Sequence, residues 1–356
     1  MRKFVCILFG ISFVIAASAA GTRAEETFSI YKIPADQSAA AEKYWTAERM
    51  QKATAHPTPK KEGTRQQSLT ETLQQPTGTP GYDPSYDPSQ NGSRTSGLVP
   101  DDDAGALSEA AQDASNGYAY PPPQTTFNML ASLYGTTSTP FPYKVIGKVF
   151  YTEPDGEDNV CSGAAIGGRA VLTAGHCVSE NGKYYTNWIF VPAYNNGKTP
   201  FGKWAASSFL TFPSWLESEE HARDVAFAVV KNKAGKKLSQ TVGHLGFAYN
   251  LPRVQHWSMF GYPAVVPWTG KYMVDTEASY ASVDTGETPN TPGIGTTQLG
   301  GCSGGPWIIN FVPGGTNVNN LANGVNSYSQ EGKDLEIYAP YFDSEVKALK
   351  DKAVAE

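Results

Sequence analysis

The chain has 356 residues, with 28 lysines and arginines against 34 aspartates and glutamates, and a formal net charge of −6. Without a basic stripe, nucleic acid is not an expected partner. The length admits two domains, but composition divides it into a long leader and one folded domain, and 35 glycines, 19 tyrosines and 7 tryptophans with few long helical patterns favour an all-β body.

Arg2 and Lys3 precede an apolar run from Phe4 to Ala17, and Ala17-Ser18-Ala19 supplies the small residues a signal peptidase needs. Residues 1–20 therefore read as a secretory signal, too short for a lasting anchor. The mature protein is expected to be secreted, extracellular or, in a Gram-negative source, periplasmic, with no membrane partner. Cys6 leaves with the signal. Residues 36–52 form an expected helix, opened by Asp36 and ending rich in Lys and Arg. From about residue 53 to 123 the composition turns to Pro, Gly, Ser, Thr and Gln without periodicity, which predicts disorder. Within it Tyr82-Asp83-Pro84-Ser85 repeats as Tyr86-Asp87-Pro88-Ser89. Residues 21–139 thus read as a pro-segment or linker. The plainer form is a solvated tether; the sharper one is an intramolecular propeptide, inhibitory or chaperoning, docked through the 36–52 helix.

From Phe141 short apolar runs recur: Val145–Tyr151, Asn159–Ile166, Arg169–Leu172, Trp188–Pro192, Ser207–Phe212, Val225–Val230, Trp257–Gly261, Tyr272–Val283, Trp307–Val312 and Glu336–Ala339. Many short strands separated by Gly, Pro and Asn turns predict a sandwich or barrel over residues 140–356. Asp343 or Ser344 can cap a closing helix from Glu345 to Val354. In an oxidising compartment Cys161 and Cys177, 16 positions apart, read as a disulfide beside a short hairpin, worth about 3 kcal/mol by loop entropy. Zinc held by Cys161, His176 and Cys177 is the weaker reading, because this spacing matches no common site. No metal site and no cofactor is expected.

Three segments carry chemistry. Gly301-Cys302-Ser303-Gly304-Gly305-Pro306 reads as a tight turn that exposes the Ser303 hydroxyl and turns backbone N–H groups toward one point, where an oxyanion could sit. A serine needs a base, and His176 stands in Ala170-Val171-Leu172-Thr173-Ala174-Gly175-His176-Cys177. Asp224 opens the apolar strand that follows Arg223 and supplies an acid. Gly301-Cys302-Ser303-Gly304-Gly305 also fits a Gly-x-Ser-x-Gly nucleophile elbow. That fold requires a histidine after the serine, and none follows His256.

The order His, Asp, Ser in these segments resembles the trypsin/chymotrypsin-like serine peptidases, and in particular the secreted microbial branch that includes glutamyl endopeptidase. The stretch Tyr44-Trp45-Thr46-Ala47-Glu48-Arg49-Met50 is similar to one in the leaders of some secreted bacterial peptidases. The resemblance covers roughly residues 140 to 345. It implies two packed antiparallel six-stranded β-barrels with a C-terminal helix, His176 and Asp224 on the first and Ser303 on the second. In that arrangement His176 is general base then acid, Asp224 orients it, and Gly301 and Ser303 offer the oxyanion-hole N–H groups.

The same resemblance implies peptide substrates lying along Asn326-Ser327-Tyr328-Ser329, with Ser327 beside the triad aspartate and Thr297, Gln298 and Asn326 lining a neutral polar specificity pocket. It implies neither glutamate nor lysine/arginine preference before the scissile bond, because the family's selective side chains are absent at these positions. Cys302 stands where trypsins carry an aspartate, so their ion-pair activation does not carry over; it reads as a buried inert thiol or, alternatively, as a site of oxidative inactivation. A monomer acting on protein or peptide substrates is expected. The contrasting class is a catalytically silent protease-fold protein that binds peptides or surfaces, favoured if the leader persists in the mature protein.

Overall fold

The protein is described by a computed structural model over residues 28–62, 76, 78–89, 126–129 (backbone only), 139–314, 319–333 and 335–356. The expected signal at 1–20 lies outside the described residues. From residue 146 onward the runs of Val, Ile, Phe and Tyr form short strands, as half-buried pleated surfaces favour.

Six of them close the first barrel. Ile146–Thr152 pairs with Asp158–Gly167, then follow Ala170–Thr173, Ala226–Val230, Trp204–Thr211 and Thr186–Pro192, which returns to Ile146–Thr152; every pairing is antiparallel. Closure leaves no free edge within the ring.

The second barrel is built from His256–Gly261, Val274–Asp284, Thr291–Gly295, Glu336–Tyr338, Leu321–Val325 and Pro306–Ile309. His256–Gly261 pairs with both Val274–Asp284 and Pro306–Ile309. The remaining gap is closed just beyond Leu321–Val325, where Ser327 N donates to Tyr338 O at 3.1 Å and Tyr338 N to Tyr328 O at 2.8 Å. Thr291–Gly295 and Leu321–Val325 were not among the expected strands. Both are rich in glycine, proline or asparagine, and only their neighbours in the barrel make them strands.

The closing helix, Ser344–Ala355, buries Val346, Leu349 and Ala353. Asp343 caps it, accepting from Glu345 N and Val346 N at 3.0 Å each.

The leader is built into this body more extensively than composition predicts. Ser29–Lys32 adds antiparallel to Trp204–Thr211. The expected 36–52 helix is two helices, Ala35–Tyr44 and Ala47–Lys52, because Thr46 leaves the helical conformation and accepts from Arg49 N at 3.2 Å to cap the second. At the break Trp45 is fully buried, packs on Phe150 and donates from Nε1 to Asn187 O. Tyr44 Oη donates to Asp158 at 2.8 Å, and Arg49 pairs with the same carboxylate. Met50 is buried as well. The Tyr-Trp-Thr-x-Glu-Arg-Met stretch is thus a docking sequence: two polar residues on Asp158, a cap, and two apolar residues in the core. Both copies of the Tyr-Asp-Pro-Ser repeat are also engaged, Asp83 by Lys347 and Lys350, and Asp87 by Lys144 at 2.8 Å.

Candidate active site

His176 lies in the short turn Gly175–Cys177 that ends the Ala170–Thr173 strand. The Cys161–Cys177 disulfide is formed and ties that turn to the adjoining strand. The two sulfurs are therefore unavailable as zinc thiolates. Asp224 follows the turn His221–Arg223, just before Ala226–Val230. Its carboxylate is fully buried. It accepts three bonds, from His176 Nδ1 at 2.7 Å, His176 N at 2.8 Å and Ser327 Oγ at 2.5 Å. Burial acts to raise the Asp224 pKa, but the His176 ring and these three bonds hold it below the usual carboxylate value. With Nδ1 committed to Asp224, Nε2 of the same ring is the nitrogen left to exchange a proton.

Ser303 is carried on the turn of the second barrel and pinned to the first. Ser162 N donates to Ser303 O at 2.7 Å, and Ser162 Oγ donates to Gly301 O at 2.9 Å. The turn needs glycine at 301 and 304, where φ is +93° and +76°; a Cβ on Gly304 would also lie 2.2 Å from Thr173 Oγ1. Cys302 N, Gly304 N and Gly305 N are used by Leu299 O, Asn326 O and Cys302 O. Those of Gly301 and Ser303 have no acceptor among the described residues, as an oxyanion hole requires.

Ser303 Oγ and His176 Nε2 are both buried and have no hydrogen-bond partner among the described residues. The leader runs past His176 and the residue before the Ser303 turn. Thr54–Ala55 pairs in parallel with Asn159–Val160, and Lys60–Lys61 in parallel with Ser329–Gln330, so residues 54–61 cross from one barrel to the other. Midway, the His56 ring lies 5.6 Å from that of His176. His56 O would be 2.9 Å from a Cβ on Gly300, immediately before the Ser303 turn. His56 Nδ1 bonds Pro57 O at 2.8 Å, while Nε2 faces Glu153 at 3.6 Å and Glu180 at 3.8 Å. Burial, with the neighbouring His176, pushes the His56 pKa down to about 4. Burial and the nearby Glu180, Asp155 and Glu157 push Glu153 up to about 7.

Of the expected pocket residues, Asn326 is placed otherwise. Its Oδ1 accepts from Trp307 Nε1 at 2.7 Å and its Nδ2 donates to Phe260 O and Cys302 O. An amide with every polar atom bonded inside the protein pins the Ser303 turn. Gln298 is buried, donates to Thr276 Oγ1 at 2.9 Å and keeps Oε1 without a partner among the described residues. Thr297 is half-buried, and its carbonyl accepts from Trp268 Nε1. Ser327 reaches Asp224 as the resemblance implied, and Tyr328 Oη bonds Asp284 and Thr291. Cys302 is a buried free thiol packed in the second barrel's core, its pKa driven well above the ordinary value by burial. Sequence reasoning missed His56, Glu153 and Glu180, because no spacing links a leader histidine to carboxylates about a hundred residues on.

A family model described as Trypsin matches residues 135–351. The chain belongs to the trypsin family. This trypsin-family chain is 35% identical to the protease Anisep from Arthrobacter nicotinovorans, whose crystal structure superposes with a TM-score of 0.54 over 60% of this chain and 97% of that one. It is 32% identical to the thermostable serine protease AL20 from an extremophilic microorganism, again with a TM-score of 0.54, over 60% of this chain and 98% of the other. A curated relative, the "Extracellular metalloprotease" of Bacillus subtilis (strain 168), is 26% identical over 114 residues, 32% of this chain and 35% of that protein. The chain therefore spans about a third of that relative's length. The domain is a trypsin-like serine protease, a hydrolase, on the fold the resemblance implied.

Proposed function

We propose that this trypsin-family protein is an exported endopeptidase made as a covered precursor: a signal at 1–20, a pro-segment at 21–139 and a peptidase domain at 140–356. The observation that carries the reading is His176 held by Asp224 on one barrel, with Ser303 on a glycine turn of the other that Ser162 of the first barrel pins. Ser303 Oγ attacks the substrate carbonyl, His176 takes the hydroxyl proton and returns it to the leaving amine, and a water then hydrolyses the acyl-enzyme by the same route. The N–H groups of Gly301 and Ser303 stabilise the oxyanion. Asp224 keeps Nε2 free of its proton until the attack and stabilises the imidazolium that follows. Peptides add along Ser327–Ser329, with Tyr328 beneath them and Thr297 and Gln298 toward the pocket. Supporting export are the disulfide and the absence, among the described residues, of any helix long and apolar enough to cross a membrane.

In this reading residues 54–61 inhibit by occupying the cleft. Parallel pairs are the weaker kind of strand addition, and the segment's hold is reinforced by Trp45, His56 and Lys61. The binding-protein alternative draws on one observation, the burial of Ser303 and His176. Fluorophosphonate labelling separates the two. Labelling that appears once the leader is cleaved, and is lost in Ser303→Ala, supports the endopeptidase; none in either form moves the weight to the alternative.

A further inference from the structure

The leader's path through the cleft places one cation against two buried carboxylates of the peptidase domain. Ser329 N donates to Pro59 O and Glu331 N to Lys61 O, both at 2.9 Å, so the backbone of 59–61 lies on the strand that runs on from Ser327. From that position Lys61 Nζ donates to Asp284 Oδ2 at 2.8 Å and Glu287 Oε1 at 2.5 Å. The Asp284 side chain is fully buried and that of Glu287 nearly so.

Further bonds to these carboxylates come, among the described residues, from the peptidase domain. Asp284 Oδ1 accepts from Gly286 N at 2.9 Å and Oδ2 from Tyr328 Oη at 2.8 Å; Glu287 Oε2 accepts from Ala222 N at 2.9 Å, two residues before Asp224. His221 packs on Tyr328 and lies 4.0 Å from Glu287. The carboxylates are thus oriented by the domain's own backbone and side chains. Two buried acids held this close are costly without a counter-charge. Bonds from Lys61 and Tyr328 keep Asp284 ionised against its burial.

We propose that Asp284 and Glu287 form a cation-binding subsite that takes a lysine or arginine side chain of a peptide substrate lying along Tyr328–Gln330, with Lys61 as its occupant in the covered precursor. This rests on the reading of residues 54–61 as cleft-occupying and adds the substrate class. The basic residue sits at one fixed position away from the scissile bond, because Ser329 and Ser327 belong to the same strand and Ser327 touches Asp224. It is a separate selectivity from that of the pocket beside Thr297 and Gln298.

The full chain is expressed, its leader is cleaved in place, and a fluorogenic peptide library is scanned position by position. The expected result is one position at which Lys or Arg raises kcat/KM about tenfold or more over isosteric norleucine, in the range of charge-assisted pairs. Asp284→Asn with Glu287→Gln reduces that ratio to near one. A second arm measures binding of a non-cleavable peptide carrying Lys or norleucine at each position by fluorescence anisotropy, with and without about 0.5 M salt, which shortens the Debye length to roughly 4 Å. Preference for Lys that weakens in salt supports the subsite even if the variants do not fold. No basic preference at any position in wild type, or a preference unchanged in the folded double variant, overturns it. Failure of wild-type Ser303 to label with fluorophosphonate would instead sink the triad reading, and the anisotropy arm would still decide the subsite.

Discussion

His56 of the leader and His176 of the first barrel lie with their rings 5.6 Å apart, on opposite sides of the boundary between what covers the site and what works in it. His56 is also the leader's residue against Glu153 and Glu180. One side chain thereby neighbours both the proposed catalytic histidine and two carboxylates of the first barrel.

Loosening the leader should therefore expose the serine. Trp45→Ala removes a fully buried indole and its bond to Asn187, a class of change that costs about 3–5 kcal/mol. The uncleaved Trp45→Ala chain is expected to label with fluorophosphonate faster than the uncleaved wild type. Equal, negligible labelling of both would show that Trp45 does not hold the cover in place.

Two groups at the cover titrate in opposite senses. His56, ordinarily near 6.5, is depressed to about 4, so its contribution is fully present above pH 6.5 and is lost as pH falls toward 4. Glu153, ordinarily 4.5, is raised to about 7; its contribution is fully present below pH 4.5 and is lost as pH rises through 7. Between pH 4.5 and 6.5 the two slopes oppose each other. Glu153→Gln removes the second, and thermal unfolding of the precursor should then show stability falling more steeply on acidification than in wild type. An unchanged pH profile would contradict the assignment.

Ser327 links the strand proposed to bind peptides to Asp224. Ser327→Ala deletes a bond to a buried carboxylate, a class worth about 1.5–3 kcal/mol. Steady-state kinetics of the leader-free variant should show kcat lowered roughly ten- to a hundredfold with a smaller change in KM. Asp224→Asn is expected to be far more damaging, about 10⁴ in kcat by analogy with other triads.

Breaking the Cys161–Cys177 bridge by the double change to alanine should lower unfolding stability by about 3 kcal/mol. Because Cys177 follows His176, activity is expected to fall in the same variant even where it remains folded. Cys302, buried and with a raised pKa, should resist alkylation until the protein unfolds. Rapid modification of Cys302 in the native protein would show that the core around it opens.

Much of this was written locally. The glycines around Ser303, the small residues before His176 and the apolar strand after Asp224 each specify their own turn through backbone sterics and periodicity, so the sequence alone determined the candidate triad and most first-barrel strands, and narrowed the helix cap to Asp343 or Ser344. Other features depend on partners far away in the chain. Thr291–Gly295 and Leu321–Val325 have weak strand preference and acquire it only from the neighbours that complete their ladders. Asn326 looked like a pocket residue until the fold brought Trp307, Phe260 and Cys302 to its amide. The leader is the largest case. A Pro- and Lys-containing segment has no periodicity to announce a strand, and it becomes one because Asn159–Val160, beyond the end of the ladder to Ala170–Thr173, and Ser329–Gln330 offer backbone partners. Lys61 meets Asp284 across 223 positions; only tertiary structure decides such a pairing, since charge complementarity acts through space and leaves no spacing in the sequence.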